Sequence, residues 1–261
     1  MRLLSNVSYR WYYVWRRNLD VNLITWQTNA LPPVLEPVLY IFAFGFGLGK
    51  FVKEIPYDGR LLTYVQFIAP GMISVAVLFH SFYECLYGSF VRMYYQKTFD
   101  AMISTPLLIE DVIVGEIIWG ATKSFVASIL MLLVISFFGL AAFPSSLFVL
   151  PLALFGGLLF ASLGMFFTSL LPSIDTMNLP VFLISTPMFL FSGTFFPIES
   201  LPPWAQLIGR FSPLTHLVNL VRSATLATRH PRFLEDIVVL VGLALGLFAL
   251  SLYFMKRRLL K

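Results

Sequence analysis

Charge and cysteine are scarce in this sequence, which has 261 residues, 12% of them charged, and a single cysteine, Cys85. One thiol excludes an intrachain disulfide and any paired-cysteine metal or redox motif. A soluble domain carries roughly a quarter charged residues, so half that proportion excludes an ordinary soluble fold. The opening stretch, MRLLSNVSYRWYYVWRRNLD, lacks the uninterrupted apolar core of ~7–15 residues and the small-residue cleavage site of a signal peptide, so it is expected to stay on the mature protein. There is no G-x-x-x-x-G-K-[ST] run, because the one Gly-Lys pair, Gly49-Lys50, is followed by Phe51. The glycines of GFGLG do not form a dinucleotide fingerprint either, since Lys50 stands where the third glycine belongs. His80 and Glu84 lie one helical turn apart, but two ligands fall short of the three or four a metal site needs, and no metal is expected. His216 and His230 have no neighbouring pattern of nucleophile or carboxylate to suggest a hydrolase.

What the sequence has in excess is apolar surface: 58% hydrophobic residues and a mean hydropathy of +0.83. A membrane span needs ~20 apolar residues, so this length holds about six spans with short loops in one domain. Apolar runs bounded by charges or turn residues place them near 30–49, 62–90, 112–140, 146–171, 178–197 and 235–255. An even count puts both termini on one side. Assigning that side to the cytosol gives it Arg2, Arg10, Arg16, Arg17, Arg92, Lys97, Lys256, Arg257, Arg258 and Lys261, ten basic residues against seven outside, which favours both termini in.

Before the first span, a helix over residues 1–20 gathers Leu3, Leu4, Val7, Trp11, Val14 and Trp15 into one arc, with Arg10, Arg16 and Arg17 elsewhere on the wheel. That pattern predicts an interfacial helix on the inner leaflet, basic residues toward lipid headgroups and tryptophans at the acyl boundary. Between the second and third spans, Thr98 or Thr105 is suited to capping a short amphipathic helix over 98–105. Its Phe99, Met102 and Ile103, beside Asp100, form more apolar surface than a bare connection needs and predict a soluble partner.

The fifth span is interrupted by Pro180 and Pro187 and ends at Ser192-Gly193-Thr194. The segment 197–234 is too polar to span and too apolar for a loop. Pro202, Pro203 and Pro213 divide it into two half-helices, near 202–211 and 214–227, that dip into the outer leaflet and return. Four ionisable residues fall within spans: Glu36, Glu84, Glu116 and Lys123. Burial in lipid is costly unless they pair, so Lys123 is expected to contact Glu84 or Glu116, either as an ionic latch at the inner gate or as a static network. Phe182, Phe189 and Phe196 recur every seven residues, which places them on one face of a regular helix, either packing against neighbouring spans or lining a path for acyl chains. Gly157 with Ala161, and Gly242 with Gly246, permit close helix approach, internally or at a dimer face.

The run FLFSGTFFPIESLPPWAQLIGRFSPLTHLVNLVR closely resembles the signature region of ABC-2-type permeases of ATP-binding-cassette transporters. RNLDVNLITWQTNALPPVLEPVLYIFAFGFGLG and QKTFDAMISTPLLIEDVIVGEIIWGATKSF are similar to the nodulation-factor-type permeases within that class, which export lipo-chito-oligosaccharides. The resemblance covers essentially all of the chain. It implies an all-α integral membrane fold of six transmembrane helices with an N-terminal interfacial helix and re-entrant half-helices before the last span, in a bacterial inner membrane. It implies a non-catalytic half-transporter that pairs with a second copy and with two ATPase subunits, which supply ATP and Mg, so that no cofactor binds this chain. The 98–105 helix, with Phe99, Asp100, Met102, Ile103 and Thr105, would then couple to the ATPase, and the N-terminal helix would brace it. Membrane lipids are expected partners and nucleic acid is not. An amphipathic lipid- or glycan-containing cargo fits, with efflux of drugs or other small molecules as the alternative and a membrane-embedded lipid-modifying enzyme as the rival class.

Overall fold

A computed structural model describes residues 7–47, 49, 51–52, 54–228 and 231–260. Residues 1–6 of the predicted interfacial helix therefore lie outside the described residues. The chain runs α1 (Trp11–Ile24), α2 (Trp26–Tyr40) with a π-helical extension over Ile41–Gly47, a short antiparallel hairpin of β1 (Ile55–Tyr57) and β2 (Arg60–Leu62), and then α3 (Tyr64–Tyr83). Thr63 starts α3 through a capping box: its hydroxyl accepts from Gln66 N, and the Gln66 amide oxygen accepts from Thr63 N. α3 continues through two π-helical stretches, Glu84–Gly88 and Val91–Tyr95, into a 32-residue helical rod. Next come α4 (Thr98–Ile103), α5 (Ile109–Phe137) and α6 (Val149–Leu170). The fifth predicted span is composite: α7 (Asn178–Pro180), a π-helical stretch over Val181–Ser185, and α8 (Thr186–Phe191). α9 (Pro203–Phe211) and α10 (Pro213–Leu226) precede the closing helix α11 (Phe233–Leu259).

Four of these helices are long and apolar enough to cross a membrane: Tyr64–Tyr95, Ile109–Phe137, Ser145–Leu170 and Phe233–Leu259. The first and fifth predicted segments are helical but interrupted. Pro32, Pro33 and Pro37 each remove an N–H from the hydrogen-bond ladder of α2, and Pro180 and Pro187 do the same around the Val181–Ser185 widening.

Small residues set how closely the rods pack. At Gly164 on α6 an added Cβ would lie 2.4 Å from the Phe82 carbonyl of α3, and at Gly157 it would lie 2.2 Å from the Ser124 hydroxyl of α5. Gly157 thus makes an internal contact, whereas Gly242 and Gly246 on α11 have nothing within 4 Å. In the π turn after α3, Thr168 of α6 points its hydroxyl at the Cys85 and Leu86 carbonyls, at 2.8 and 3.0 Å.

The N-terminal helix differs from the expectation of a helix lying free on lipid. Val14 is buried against α5, Trp15 Nε1 donates to Thr122 Oγ1 at 3.0 Å, and Val7 and Trp11 pack on the core, so the described part of the apolar arc is spent on this chain's own bundle. Gly115 makes the docking possible, since a Cβ there would meet Val14 Cβ at 2.6 Å and the Trp11 carbonyl at 2.9 Å. Gly115→Ala is expected to lift α1 from α5 and lower stability by about 1–3 kcal/mol, while Gly242→Ala is expected to be neutral or slightly stabilising. Thermal unfolding of the detergent-purified chain measures both. Equal behaviour of the two variants would contradict the packing described.

Candidate functional site

α1, α4, the start of α5 and the end of α11 meet at one end of the bundle. Ser8 donates its N–H and hydroxyl to the Asp111 carboxylate at 2.8 and 3.0 Å, and Arg10, which precedes α1, donates to the Pro106 carbonyl. Lys256 pairs with Glu110 at 2.5 Å, and Arg258 donates to the Thr168 and Leu171 carbonyls. Beside this junction lies the ionic cluster. Glu116 on α5 is fully buried and accepts from Asn18 of α1 at 2.8 Å, from the Ser89 hydroxyl at 2.7 Å, and from Arg92 Nε and Nη2 at 2.9 and 2.5 Å. Glu84 accepts from Arg92 Nη1 at 2.8 Å, from Trp119 Nε1 at 3.0 Å and from Lys123 Nζ at 2.8 Å. Two carboxylates and two cations alternate in one chain of bonds, so the charge cancels inside the bundle, as a low-dielectric interior demands. Arg17 borders it, donating to Asn18 Oδ1 at 3.0 Å, and Glu84, Arg92 and Lys123 line a cavity of about 390 Å³.

Three of the four predicted membrane ionisable residues therefore meet. Lys123 contacts Glu84, one of the two partners expected for it. Glu36 does not join: it is half-buried on α2 and forms no ion pair among the described residues. The residue that sequence reasoning missed is Arg92, assigned there to a cytosolic loop. Its signal was the spacing of Glu84, Gly88 and Arg92. In a regular α-helix, residues eight apart sit roughly 80° apart around the axis. The π turns undo that offset and bring both side chains to one face. Gly88 leaves them room, since a Cβ there would lie 3.0 Å from Glu84 Oε1 and 3.3 Å from Arg92 Nη1.

The predicted coupling helix exists over Thr98–Ile103, shorter than 98–105, and neither threonine caps it. Lys97, in the left-handed conformation, occupies the N-cap position, and the Thr105 hydroxyl donates to the Met102 carbonyl at 2.6 Å. Phe99 is fully buried in the bundle, with Met102 and Ile103 packed on the same core, so these three apolar side chains anchor α4 to this chain rather than face outward. The outward face carries Asp100, Ala101, Ser104 and Thr105. Arg16 is exposed on α1.

The predicted phenylalanine face is not formed. The π-helical stretch shifts the register after Phe182, and α8 ends before Phe196. Phe189 packs against Phe79 and Phe195, whereas Phe182 and Phe196 are 69% and 53% exposed.

Arg92→Ala leaves Glu116 buried without a cation and is expected to cost about 3–5 kcal/mol, the scale for breaking a buried pair. Lys123→Ala is expected to cost much less, because Lys123 is 26% exposed and Glu84 keeps Arg92 and Trp119. Thermal melts of both variants in detergent give the comparison. A greater loss in Lys123→Ala would contradict the assignment of Arg92 as the central cation.

Residues 9–226 match the family described as ABC-2 type transporter. The chain is 35% identical over 256 residues to Nodulation protein J of Sinorhizobium fredii, covering 97% of this chain and 95% of that protein. It is 36% identical to Nodulation protein J of Rhizobium leguminosarum bv. viciae, covering 96% and 95%. It is 23% identical over 206 residues to the Inner membrane transport permease YadH of Escherichia coli, covering 79% and 78%. With four membrane-length helices, a charge-balanced cluster held inside them and a family match over most of its length, the chain belongs to the ABC-2 type transporter family as a permease subunit.

Proposed function

We propose that the chain is one half of a homodimeric exporter in the bacterial inner membrane, with two ATPase subunits that bind ATP and Mg docked beneath its α4 end. In this reading the polypeptide crosses six times, four times as continuous rods and twice through the proline-interrupted segments over α2 and α7–α8. Both termini face the cytosol. α9 and α10 re-enter from the outside, where burial of α10 among α3, α6 and α11 satisfies the rule that irregular backbone at membrane depth needs protein around it. The cargo is an amphipathic lipid- or glycan-containing molecule, on the similarity to nodulation proteins.

One observation carries the coupling part of this reading: α4 is seated on the bundle through Phe99 while its outward face stays open, one connection away from the helix that carries Arg92. Movement of α4 by a docked ATPase would load the Arg92–Glu116 pair through that short connection. Asp100 and Thr105 are the side chains we assign to contact with the ATPase, with Phe99, Met102 and Ile103 holding the angle of α4.

Ala101→Arg combined with Ser104→Arg, on the exposed face, is expected to abolish co-purification with the cognate ATPase while leaving the melting temperature unchanged. Phe99→Ala is expected to lower the melting temperature, since emptying a buried phenylalanine site costs about 3–5 kcal/mol. An intact complex in the double variant would move the docking surface off α4. For export itself, proteoliposomes holding the permease and ATPase are expected to move a labelled lipo-oligosaccharide only with ATP, and lack of ATP-dependent movement would remove the cargo assignment. Cysteines introduced at the two ends, in a Cys85-free background, are expected to label from the cytosol near residue 258 and from outside near residue 207.

A further inference from the structure

At the end of the bundle opposite the ionic cluster, α10 carries Arg222, whose side chain is among the largest that are fully buried. Its Nε donates to the Phe67 carbonyl at 3.2 Å and its Nη2 to the Gly193 carbonyl at 2.9 Å, and its guanidinium lies over the Phe67 ring at 3.9 Å and the Tyr57 ring at 5.1 Å. Carbonyls and ring faces bring partial charge only, and no carboxylate stands within ion-pair reach among the described residues. Glu199, an exposed residue outside ion-pair distance, is the carboxylate whose charge reaches it, and a buried guanidinium so poorly matched is costly, a cost that an anion in the adjoining space relieves.

That space is a cavity of about 380 Å³ bounded by α9, α10, the start of α11 and the hairpin. The cavity's own acids are already committed. His216 Nε2 lies 3.0 Å from the Arg210 carbonyl, and its Nδ1 lies 2.6 Å from Asp236 Oδ1, so both ring nitrogens of His216 are engaged. Arg232 faces Glu235 at 4.0 Å. Two cations of the lining, Arg210 and Arg222, have no carboxylate within ion-pair distance among the described residues. The same lining holds the Thr215 hydroxyl, 3% exposed as a residue and without a hydrogen-bond partner, and the Tyr57 side chain.

We propose that this cavity is a binding site for an oxyanion of the phosphate type, with Arg222 supplying the charge and Thr215 and Tyr57 donating hydrogen bonds. The chemistry is that of a phosphodiester on an outer-leaflet lipid headgroup or of a free inorganic anion. It stands apart from the cargo and coupling assignments, because none of its residues belongs to the α4 end.

The test uses the full-length chain in neutral detergent and follows its melting temperature against added phosphatidylglycerol and, separately, inorganic phosphate. Diacylglycerol and chloride at matched ionic strength serve as controls. Phosphate also stabilises proteins by exclusion from their surfaces, so the deciding quantity is the half-saturating concentration rather than the shift itself. Thr215→Val, which keeps the side-chain shape, is expected to raise that concentration about tenfold, the worth of one hydrogen bond to a charged group, with the melting temperature unchanged when no probe is added. Tyr57→Phe is expected to act in the same direction, and Arg222→Gln to abolish the response. If Arg222→Gln does not fold, the Thr215 and Tyr57 variants carry the test. A response to phosphatidylglycerol alone identifies a lipid phosphodiester, and a saturable response to inorganic phosphate as well identifies a site open to free anions. No response to either probe in the unaltered chain, or identical half-saturation in Thr215→Val, overturns the proposal.

Discussion

Glu116 is the constraint around which the α4 end of the bundle is organised. A fully buried carboxylate within an apolar helix is tolerable only if its charge is matched and its oxygens are bonded, and four contacts from three other groups do both. Those contacts come from α1 and from the π-helical end of α3, so one side chain on α5 fixes where two other helices end up. The second carboxylate, Glu84, widens the same arrangement to Trp119 and Lys123.

The π turns belong to that arrangement. They rotate Arg92 toward Glu84 and Glu116, and Thr168 of α6 bonds to the Cys85 and Leu86 carbonyls within them. Glycines at 88, 115, 157 and 164 remove the side chains that would otherwise hold the helices apart. The junction at this end ties α1, α3, α5, α6 and α11 through short polar bonds, with α4 seated on it through Phe99.

The opposite end is built on another principle. α9 exposes Trp204, Leu207 and Phe211, while α10 is buried on most of its face, its Leu217 pressed toward Gly156 of α6. Amphipathic α9 therefore presents apolar surface outward and holds its small residues, Ala205 and Gly209, inward, where a Cβ at Gly209 would lie 2.7 Å from the Phe191 carbonyl. The cavity between α9, α10 and α11 joins His216 to Asp236 at 2.6 Å and leaves the buried Thr215 hydroxyl without a hydrogen-bond partner.

The sequence by itself determined what period and composition carry. The helical class, the four membrane-length helices to within a few residues at each end, and the division of the segment before α11 at Pro213 into α9 and α10 were all legible, because proline, charge and apolar run length act locally. That Lys123 pairs with a carboxylate of the spans was legible too, from the cost of an unpaired charge in lipid, with Glu84 and Glu116 both open until the structure chose Glu84. Only the tertiary structure decided the rest, through which surface another helix already occupied or through a local change of helical pitch. Phe99 reads as a free apolar side chain in sequence and is an internal anchor because the bundle offers it a pocket. The arc of Trp11 and Val14 reads as membrane-facing and is covered by α5 because Gly115 leaves space. Glu36 is kept out of the cluster by the path of α2, and the spacing of Phe182, Phe189 and Phe196 loses its meaning where the helix widens and then ends. Arg92 joined the cluster through a local change of helical pitch, which a regular 3.6-residue reading of the sequence does not contain.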